Sequence, residues 1–351
     1  MKKSVIYILS ILIVILNCSK EDSNNTKKNT KIVNYQTEEI NIIDQEQYER
    51  NVIDANFDLI CNVDLSDEMI FKPTFCKFDS SGNIYTMDIS SFLIHKFSFN
   101  KNTNKYSHSI FGKGEGLGPG EFTNPTDLQI YKDKIYIANP PTGAIEIYST
   151  HGKYLKRIKP LEEIIPHRVA VINNNLILEP QNLTYENLFY VYSYSGDFIF
   201  KFGTLIDKTN KSTVYHSNHI FQINNDSFYY LPNYLGFIGL YNNNNFVFAK
   251  ATIDGVKQPK LIKKNVMDGF LVIKVQKEFI TADQYACNKS YLILRSVNKK
   301  EDKIFYDVYS VDKFNYLNTL ENFPFANYFD IYENYLACID EFTLRVYKYD
   351  F

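Results

Sequence analysis

The chain has 351 residues, of which 22% are charged and 45% hydrophobic, and its formal net charge is −2. A globular chain of this length buries roughly three quarters of the surface that its unfolded form exposes, so it needs neither a disulfide nor a metal to supply a core. The near-neutral charge excludes a nucleic-acid binder, which would show a basic excess. Aromatic residues reach 16% without any Trp, and this excess favours β-sheet.

Residues 1–17 are typical of a secretion signal. Two lysines precede an apolar stretch of 13 residues, Ser4–Leu16, which is short for a membrane span and suits a signal peptide. The sequence Ile-Leu-Asn-Cys that ends at Cys18 resembles the lipobox of bacterial lipoproteins. The resemblance implies that Cys18 is lipidated and becomes the mature N-terminus. The alternative is an ordinary signal peptide followed by a chance cysteine.

Residues 18–50 are predicted to form the lipidated cysteine and a disordered tether. Residues 19–36 are rich in Asn, Lys, Ser and Thr and offer almost nothing apolar to bury. The Lys-Glu-Asp at 20–22 resembles the surface-export tag of Bacteroidetes lipoproteins. We therefore expect a cell-envelope protein that is anchored in the outer membrane through Cys18, with surface display and a periplasmic orientation as the two alternatives.

The other four cysteines show no metal-ligand spacing. They are Cys61, Cys76, Cys287 and Cys338, and each lies in an apolar, strand-like segment. We interpret them as free thiols, with one disulfide as the alternative in an oxidising envelope. The sequence predicts neither a metal nor a cofactor.

An internal repeat runs through the chain. Residues 134–155 align without a gap with residues 227–248, as strand, turn, strand ending in Tyr, polar turn and strand. Six such units can be marked by the middle of their second strands, and the markers lie 41 to 63 residues apart. These markers are Ile84, Ile135, Leu176, Phe228, Tyr291 and Tyr335. Units of four short strands at this spacing predict a β-propeller.

The two ends of the repeat region indicate a closed ring. The last unit lacks one strand when the chain stops, whereas an unpaired strand, Phe57–Leu65, precedes the first unit. Supplying that strand to the last blade removes a bare sheet edge. We therefore predict an all-β fold over residues 51–351: a six-bladed β-propeller of four-stranded blades, closed by an N-terminal strand that completes the last blade.

A glycine-rich segment carries a resemblance to a known family. Gly112–Pro125, followed by the strand Ile135–Asn139, resembles the blade junction of six-bladed NHL-type propellers, in particular of bacterial propeller lipoproteins. The resemblance spans residues 52–351 and implies a fold and an interaction surface rather than a reaction. A phosphate-binding loop would need a following helix and a Gly-Lys-Ser/Thr ending. Both are missing, so we interpret the glycines as a blade connector.

Candidate site residues lie where the innermost strand of each blade begins. Every blade can contribute a side chain to one concave site at this mouth of the central channel. The predicted ligand-binding set is Asp127, His167, Arg168, His219, Asp283 and Gln284, with Cys76, Asn327 and Tyr328 at corresponding positions. His167, Asp127 and Asp283 are also candidates for acid–base catalysis. The alternative is a polar, water-filled channel lining.

Three further features complete the predictions. Asp88, Asn139, Glu179 and Asp340 follow the second strands and are expected to tie turns. Residues 254–277 are predicted to be a basic hairpin insert, either a partner contact or an inert decoration. Recurring tyrosines are expected to pack between blades; they are Tyr85, Tyr136, Tyr148, Tyr192, Tyr229 and Tyr241.

The sequence as a whole favours a non-catalytic function. We predict a monomeric binding module for a protein or glycan, held at the membrane by Cys18 and without a nucleic-acid partner. The alternative is an envelope hydrolase or lyase whose site lies at the channel mouth.

Overall fold

The computed structural model describes residues 30–35, 38–100, 103, 105–160, 164–181, 187–204, 218–256, 261–267, 270–275 and 279–350. The predicted signal peptide and Cys18 lie outside this part of the chain. Within it, the one helical segment is a short 3-10 turn, Pro140–Thr142. No helix of the described part is long and apolar enough to cross a membrane.

The described strands form six blades. Before the first blade come β1 (Thr30–Tyr35), β2 (Glu38–Ile43), β3 (Val52–Ile53) and β4 (Asn56–Asp64). Blade 1 contains β5 (Pro73–Phe78), β6 (Ile84–Asp88), β7 (Leu93–Asn100) and β8 (Lys105–Phe111). Blade 2 contains β9 (Asp127–Tyr131), β10 (Lys134–Asn139), β11 (Ala144–Ser149) and β12 (Tyr154–Ile158). Blade 3 contains β13 (Pro166–Ile172), β14 (Asn175–Pro180), β15 (Asn187–Tyr192) and β16 (Phe198–Thr204).

The second half of the ring follows the same plan. Blade 4 contains β17 (Asn218–Gln222), β18 (Ser227–Pro232), β19 (Phe237–Asn242) and β20 (Asn245–Ala251). A separate hairpin, β21 (Leu261–Met267) and β22 (Phe270–Val275), follows. Blade 5 contains β23 (Phe279–Cys287), β24 (Tyr291–Asn298), β25 (Lys303–Ser310) and β26 (Tyr316–Leu320). Blade 6 contains β27 (Tyr328–Tyr332), β28 (Tyr335–Ile339) and β29 (Thr343–Asp350).

The N-terminal strand β4 closes the ring, as predicted. It pairs antiparallel with β29 from Asn56 opposite Asp350 to Asp64 opposite Thr343, and so supplies the fourth strand of blade 6. The first strand of each blade lies innermost, and β5 of blade 1 contacts both β9 of blade 2 and β27 of blade 6. Chain ends that share one blade therefore hold the two ends of the ring together.

Residues 42–53, most of which fall within the predicted tether of residues 18–50, form a strap across blades 4 and 5. Within this N-terminal strap, Gln45 is buried and donates from Nε2 to the carbonyls of Ala251 (2.6 Å) and Phe314 (2.9 Å). Arg50 pairs with the buried carboxylates of Asp307 and Asp254, each at 2.9 Å. Few residues of the segment are apolar, although Ile42 is buried in the core, and its polar side chains satisfy buried groups of the blades.

Strands on both sides of the strap extend two blades. β2 pairs parallel with β20 of blade 4, with Ile42 opposite Ala249, and β1 pairs antiparallel with β2. β3 pairs parallel with β26 of blade 5, with Val52 opposite Thr319. The segment just before the ring therefore covers sheet edges that would otherwise be bare.

The recurring tyrosines pack between blades, as predicted. All six are buried. Tyr148 of blade 2 shares one apolar cluster with Tyr85 and Met87 of blade 1, and its hydroxyl donates to the carbonyl of Gly120 at 2.5 Å. The aromatic excess of the sequence thus serves the contacts between blades.

The glycine-rich segment is a blade connector. The buried carboxylate of Glu146 accepts a hydrogen bond from the Gly120 amide at 3.0 Å. Arg157 donates to the carbonyls of Leu117 (2.9 Å) and Gly118 (2.7 Å). Gly120 has a φ of 84°, and a Cβ there would lie 2.8 Å from the Tyr148 hydroxyl, so this close approach requires glycine.

The four cysteines of the described part are free thiols. Cys76 and Cys338 are buried in the core, whereas Cys61 and Cys287 are partly exposed. No disulfide supports the described blades, and their stability comes from packing and hydrogen bonding.

Candidate functional site

The upper mouth is the end of the central channel at which the innermost strands begin. The predicted site residues lie on the innermost strands of blades 2 to 5: Asp127 on β9, His167 and Arg168 on β13, His219 on β17, and Asp283 and Gln284 on β23. They divide into two groups with different surroundings. One group is tied into the protein, and the other borders an open cleft.

The closed half of the upper mouth belongs to blades 2–4. It consists of Asp127, Arg168, Glu179, Asn218 and His219. Asp127 is buried; its Oδ2 accepts the Val169 amide at 2.9 Å, and its Oδ1 accepts Nε2 of Gln129 at 3.0 Å. Burial raises the pKa of Asp127, and the Arg168 guanidinium opposes that shift. The carboxylate thereby joins blade 2 to blade 3.

Arg168 bridges three blades in the closed half. Its Nε donates to the carbonyl of Asn218 on blade 4 at 2.9 Å, and a terminal nitrogen donates to the carbonyl of Thr126, next to blade 2. It also stands opposite Glu179 in the register of β13 and β14. A guanidinium with several fixed acceptors suits this bridging role.

Glu179 was expected to tie a turn, and the structure places it elsewhere. It ties no turn, because its side chain is fully buried and its Oε1 accepts Nδ2 of Asn218 at 2.6 Å. Its Oε2 and the Oδ1 of Asn218 have no partner among the described residues. Burial raises the pKa of Glu179 to about 7, against the opposing effects of the Asn218 hydrogen bond and the Arg168 charge.

His219 reaches the channel axis, where side chains of several blades meet. Its ring lies edge-on to Tyr285 of blade 5, with centroids 5.0 Å apart, and its Nε2 is buried without a partner among the described residues. The ammonium of Lys77 lies 4.1 Å from the Tyr285 ring centroid, and Gln129 donates to the Tyr285 hydroxyl at 3.2 Å. Burial, with the Arg168 and Lys77 charges, holds the pKa of His219 well below its usual value. These contacts bridge the channel beneath the mouth.

His167 lies beside the closed half and is half-buried. Its carbonyl accepts the Thr126 hydroxyl at 2.7 Å, and its imidazole adds to the charges that lower the pKa of His219. The other two catalytic candidates, Asp127 and Asp283, are already engaged by neighbouring donors. The geometry brings His167 near His219 and Arg168.

The open cleft lies on the other side of the upper mouth, between blades 5, 6 and 1. It has a volume of about 470 Å³, and its main lining residues are Phe71, Gln284, Arg295, Asn327, Tyr328 and Phe342. A cleft of this size is within the range of small-ligand sites. Gln284, Asn327 and Tyr328 belong to the predicted mouth positions, whereas the two phenylalanines and Arg295 do not.

The charged groups of the open cleft are largely paired. Arg295 binds the carboxylate of Asp283 in a bidentate arrangement, with Nε to Oδ1 at 2.8 Å and Nη2 to Oδ2 at 3.1 Å. Its remaining nitrogen donates to the carbonyls of Ala326 and Asn327. At the rim, Asp340 pairs with Arg345. The Arg295 guanidinium therefore holds the floor of the cleft together.

The neutral polar groups of the open cleft are free. The amides of Gln284 and Asn327 and the hydroxyl of Tyr328 make no hydrogen bond within the described part of the chain. All three side chains are only partly buried. They are therefore available to donate to, or accept from, a ligand.

Two aromatic rings stand exposed at the rim of the open cleft. Phe71 is 54% exposed and Phe342 is 50% exposed. Phe342 and Ile89 lie in turns that aspartates tie, as predicted: Asp340 accepts the amide of Thr343 at 3.0 Å, and Asp88 accepts that of Ser90 at 3.2 Å. Ile89 directly follows Asp88, and Phe342 follows Asp340 by two positions. An apolar residue just after a turn-tying aspartate was therefore the available signal for these two residues, whereas Phe71 has no aspartate within three positions before it.

The opposite end of the channel carries a second cavity, of about 740 Å³. Its acids are engaged: Asp79 accepts the amides of Ser81 and Asn83 at 2.9 Å each, and Asp330 accepts that of Phe78 at 2.8 Å. Among the described residues, no three His, Cys, Asp or Glu side chains are arranged to hold a metal ion. Asp79 and Asp330 of this second cavity are therefore occupied by backbone amides, unlike the free amides of the open cleft.

Comparison with known proteins shows the fold. No protein-family model and no curated protein matches this chain. A solved structure from Bacteroides fragilis, described as an exported protein, is 11% identical, with a TM-score of 0.56 over 88% of this chain and 98% of that one. A member of the DUF4221 family from Bacteroides vulgatus is 8% identical, with a TM-score of 0.56 over 86% of this chain and 99% of that one.

A third solved structure is an enzyme. The virginiamycin B lyase of Staphylococcus aureus is 10% identical, with a TM-score of 0.49 over 84% of this chain and 99% of that one. Likeness at such identities concerns architecture alone, because one propeller fold hosts many functions. The described chain is therefore an all-β protein with six four-stranded blades in a ring, structurally similar to exported bacterial proteins.

Proposed function

We propose that this protein is an exported, lipid-anchored binding module of the cell envelope, whose ligand occupies the open cleft. The observation that carries the proposal is the set of unpartnered polar groups on Gln284, Asn327 and Tyr328, in a cleft that two exposed phenylalanines also border. Unpaired polar groups and exposed apolar rings both gain from contact with a ligand. The ligand is a protein or a glycan, and the propeller acts as a monomer.

Binding without catalysis is supported by the state of the ionisable groups. Asp283 is held by Arg295, Asp127 by Val169 and Gln129. A general base must reach the proton that it removes, and these carboxylates already serve other donors. The alternative is a hydrolase or lyase that uses His167.

The proposed cellular location rests on the sequence before the blades. The lipobox-like segment that ends at Cys18 and the polar residues after it support export and anchoring in the outer membrane with surface display. Metabolic labelling with a radioactive fatty acid tests this part. We expect label on the wild-type chain and none on Cys18→Ser, and equal labelling of both would overturn the anchor.

The binding site is tested with the full chain in detergent, immobilised and exposed to arrays of polysaccharides and peptides. The test variant is the double substitution Phe71→Ala and Phe342→Ala. The control is Phe246→Ala, since Phe246 is equally exposed (49%) but lies on β20 of blade 4. We expect the double variant to lose the probes that wild type and control retain.

Two results would overturn the proposal. The first is a set of bound probes that the double variant retains in full. The second is conversion of a bound probe, followed by mass spectrometry, that His167→Ala abolishes; this result would establish the enzyme instead.

A further inference from the structure

We infer that the ligand of the open cleft is a neutral saccharide whose pyranose rings pack on Phe71 and Phe342. The inference rests on the proposed function and narrows it to one class of ligand. A pyranose ring has an apolar face of C–H groups and an edge of hydroxyls. The cleft offers the matching pair of surfaces, because exposed rings and neutral polar groups both line it.

The rim provides the apolar half of this match. Phe71 precedes β5 of blade 1, and Phe342 lies in the turn between β28 and β29 of blade 6. Both border the same cleft while keeping about half of their surface in water. The face of an aromatic ring carries partial negative charge, which attracts the polarised C–H groups of a sugar.

The free polar groups of the open cleft match the hydrogen-bonding capacity of sugar hydroxyls. An amide can both donate and accept, and so can a phenol; Gln284, Asn327 and Tyr328 supply two amides and one phenol without partners in the described part of the chain. A sugar hydroxyl likewise donates and accepts. Each free group can therefore pair with a hydroxyl in either direction.

The net charge near the cleft favours a neutral sugar over an acidic one. The guanidinium of Arg295 donates to Asp283 and to two backbone carbonyls, so no pair of its N–H groups is left to bind the carboxylate of an acidic sugar. Lys72 and Glu341 are exposed at the rim with opposite charges. An acidic polysaccharide would be attracted by Lys72 and repelled by Glu341, so its charge would bring no net gain.

Common modes of peptide recognition fit this site poorly. Strand addition needs an exposed sheet edge, whereas the open cleft is lined by residues on or beside the inner strands β5, β23 and β27 and not by the outer strands of the blades. Helix docking needs a long apolar groove, whereas this cleft contains amides and paired charges. Recognition of acidic peptides needs an available arginine, and Arg295 is occupied.

The test is isothermal titration of the full chain in detergent with four probes: a neutral xylo-oligosaccharide, a neutral manno-oligosaccharide, an oligogalacturonate and a proline-rich peptide. We expect binding of at least one neutral probe. Phe342→Ala should weaken it by 10-fold or more, and Gln284→Ala by a similar factor. Phe246→Ala should leave the dissociation constant within 2-fold.

The other probes separate failure of this inference from failure of the proposed function. Binding of the proline-rich peptide alone, lost in Phe342→Ala, would refute the saccharide and keep the cleft as the binding site. Cleft-dependent binding of the oligogalacturonate alone would refute neutrality. Saccharide binding that survives Phe342→Ala and Gln284→Ala would refute both proposals. Circular dichroism and melting curves show that each variant is folded.

Discussion

The two halves of the upper mouth contain similar residue types but use them differently. In the closed half, Arg168 and Asp127 bind backbone groups of neighbouring blades, and Glu179 is fully buried. In the open cleft, Gln284 and Asn327 have no partner in the described chain. Polar side chains that satisfy one another stabilise a ring, whereas polar side chains left without partners remain available to a ligand. The halves therefore differ in access to solvent: the unpartnered atoms of the closed half, such as Oε2 of Glu179 and Nε2 of His219, are buried, whereas Gln284 and Asn327 are partly exposed.

The comparison predicts that closed-half substitutions change stability and leave binding intact. Arg168→Ala removes the cation beside Asp127 and Glu179, and it frees the carbonyls of Thr126 and Asn218. We expect a loss of about 3 kcal/mol in the free energy of unfolding, because a buried carboxylate is left uncompensated. Chemical denaturation measures this loss, and probe affinity in the absence of denaturant should not change.

The control for Arg168→Ala is Arg345→Ala. Arg345 pairs with Asp340 at the rim, where both side chains keep a fifth or more of their surface exposed. The expected loss is about 1 kcal/mol or less, as for solvent-screened pairs. Equal losses in the two variants would contradict the distinction between the halves.

Glu179 predicts a pH dependence of stability. Its folded pKa of about 7 lies above the value of an unfolded glutamate. The native state therefore binds more protons than the unfolded state between about pH 4.5 and 7, so stability falls as the pH rises through that window. Glu179→Gln removes this contribution and keeps an acceptor for Asn218. We expect the variant to exceed wild type by on the order of 2 kcal/mol at pH 8.

Denaturation curves at pH 5 and pH 8 measure the effect of Glu179→Gln. Glu341→Gln is the matched control, because Glu341 is an exposed acid at the rim of the open cleft. If wild type loses no more stability between pH 5 and pH 8 than Glu179→Gln does, the buried, protonated state of Glu179 is contradicted.

Substitution of Arg295 is expected to change both stability and binding, because Arg295 supports the floor of the open cleft. Arg295→Ala breaks the bidentate pair with Asp283, which is 27% exposed in its side chain. We expect a loss of about 1–2 kcal/mol in stability, together with weaker probe binding because the backbone at Asn327 loses a donor. Arg295→Lys should restore part of the stability and less of the binding, since an ammonium cannot form the bidentate pair.

The smallest effect on stability is expected at the rim. Phe71→Ala and Phe342→Ala each remove a side chain that is about half exposed, so the free energy of unfolding should change by about 0.5 kcal/mol or less. Probe binding should nevertheless weaken by 10-fold or more, as measured by titration. A drop of several kcal/mol in thermal or chemical unfolding would mean that these rings are structural, and the open cleft would lose its main distinction.

The ring and its closure could be predicted from the sequence, whereas the contacts of Glu179 could not. The tyrosine repeat and the strand Phe57–Leu65 predicted the ring and its closure, because both follow from local patterns and a strand count. Gln284, Asn327 and Tyr328 were found from their position on inner strands. The sequence did not show that Glu179 would be buried opposite Arg168, because that contact depends on register between strands and on packing between blades.

The strap was missed for a related reason. Residues 42–50 contain few apolar groups and read as tether, yet Gln45 and Arg50 satisfy buried carbonyls and carboxylates on blades 4 and 5. The partners of these two residues lie more than 200 positions away. Local composition cannot report a contact at such a distance.

The sequence by itself determined the class of this protein: an all-β chain with a secretion-type N-terminus, six repeat units and aromatic residues at interblade positions. Period, turn residues and strand count are local properties, so they can be read without coordinates. Only the tertiary structure decided which polar residues are satisfied and which are free. That distinction arises when six blades bring residues such as Arg168 and Asn218, or Gln284 and Phe342, to one mouth. On that distinction we propose the open cleft, rather than the surroundings of His167, as the ligand site.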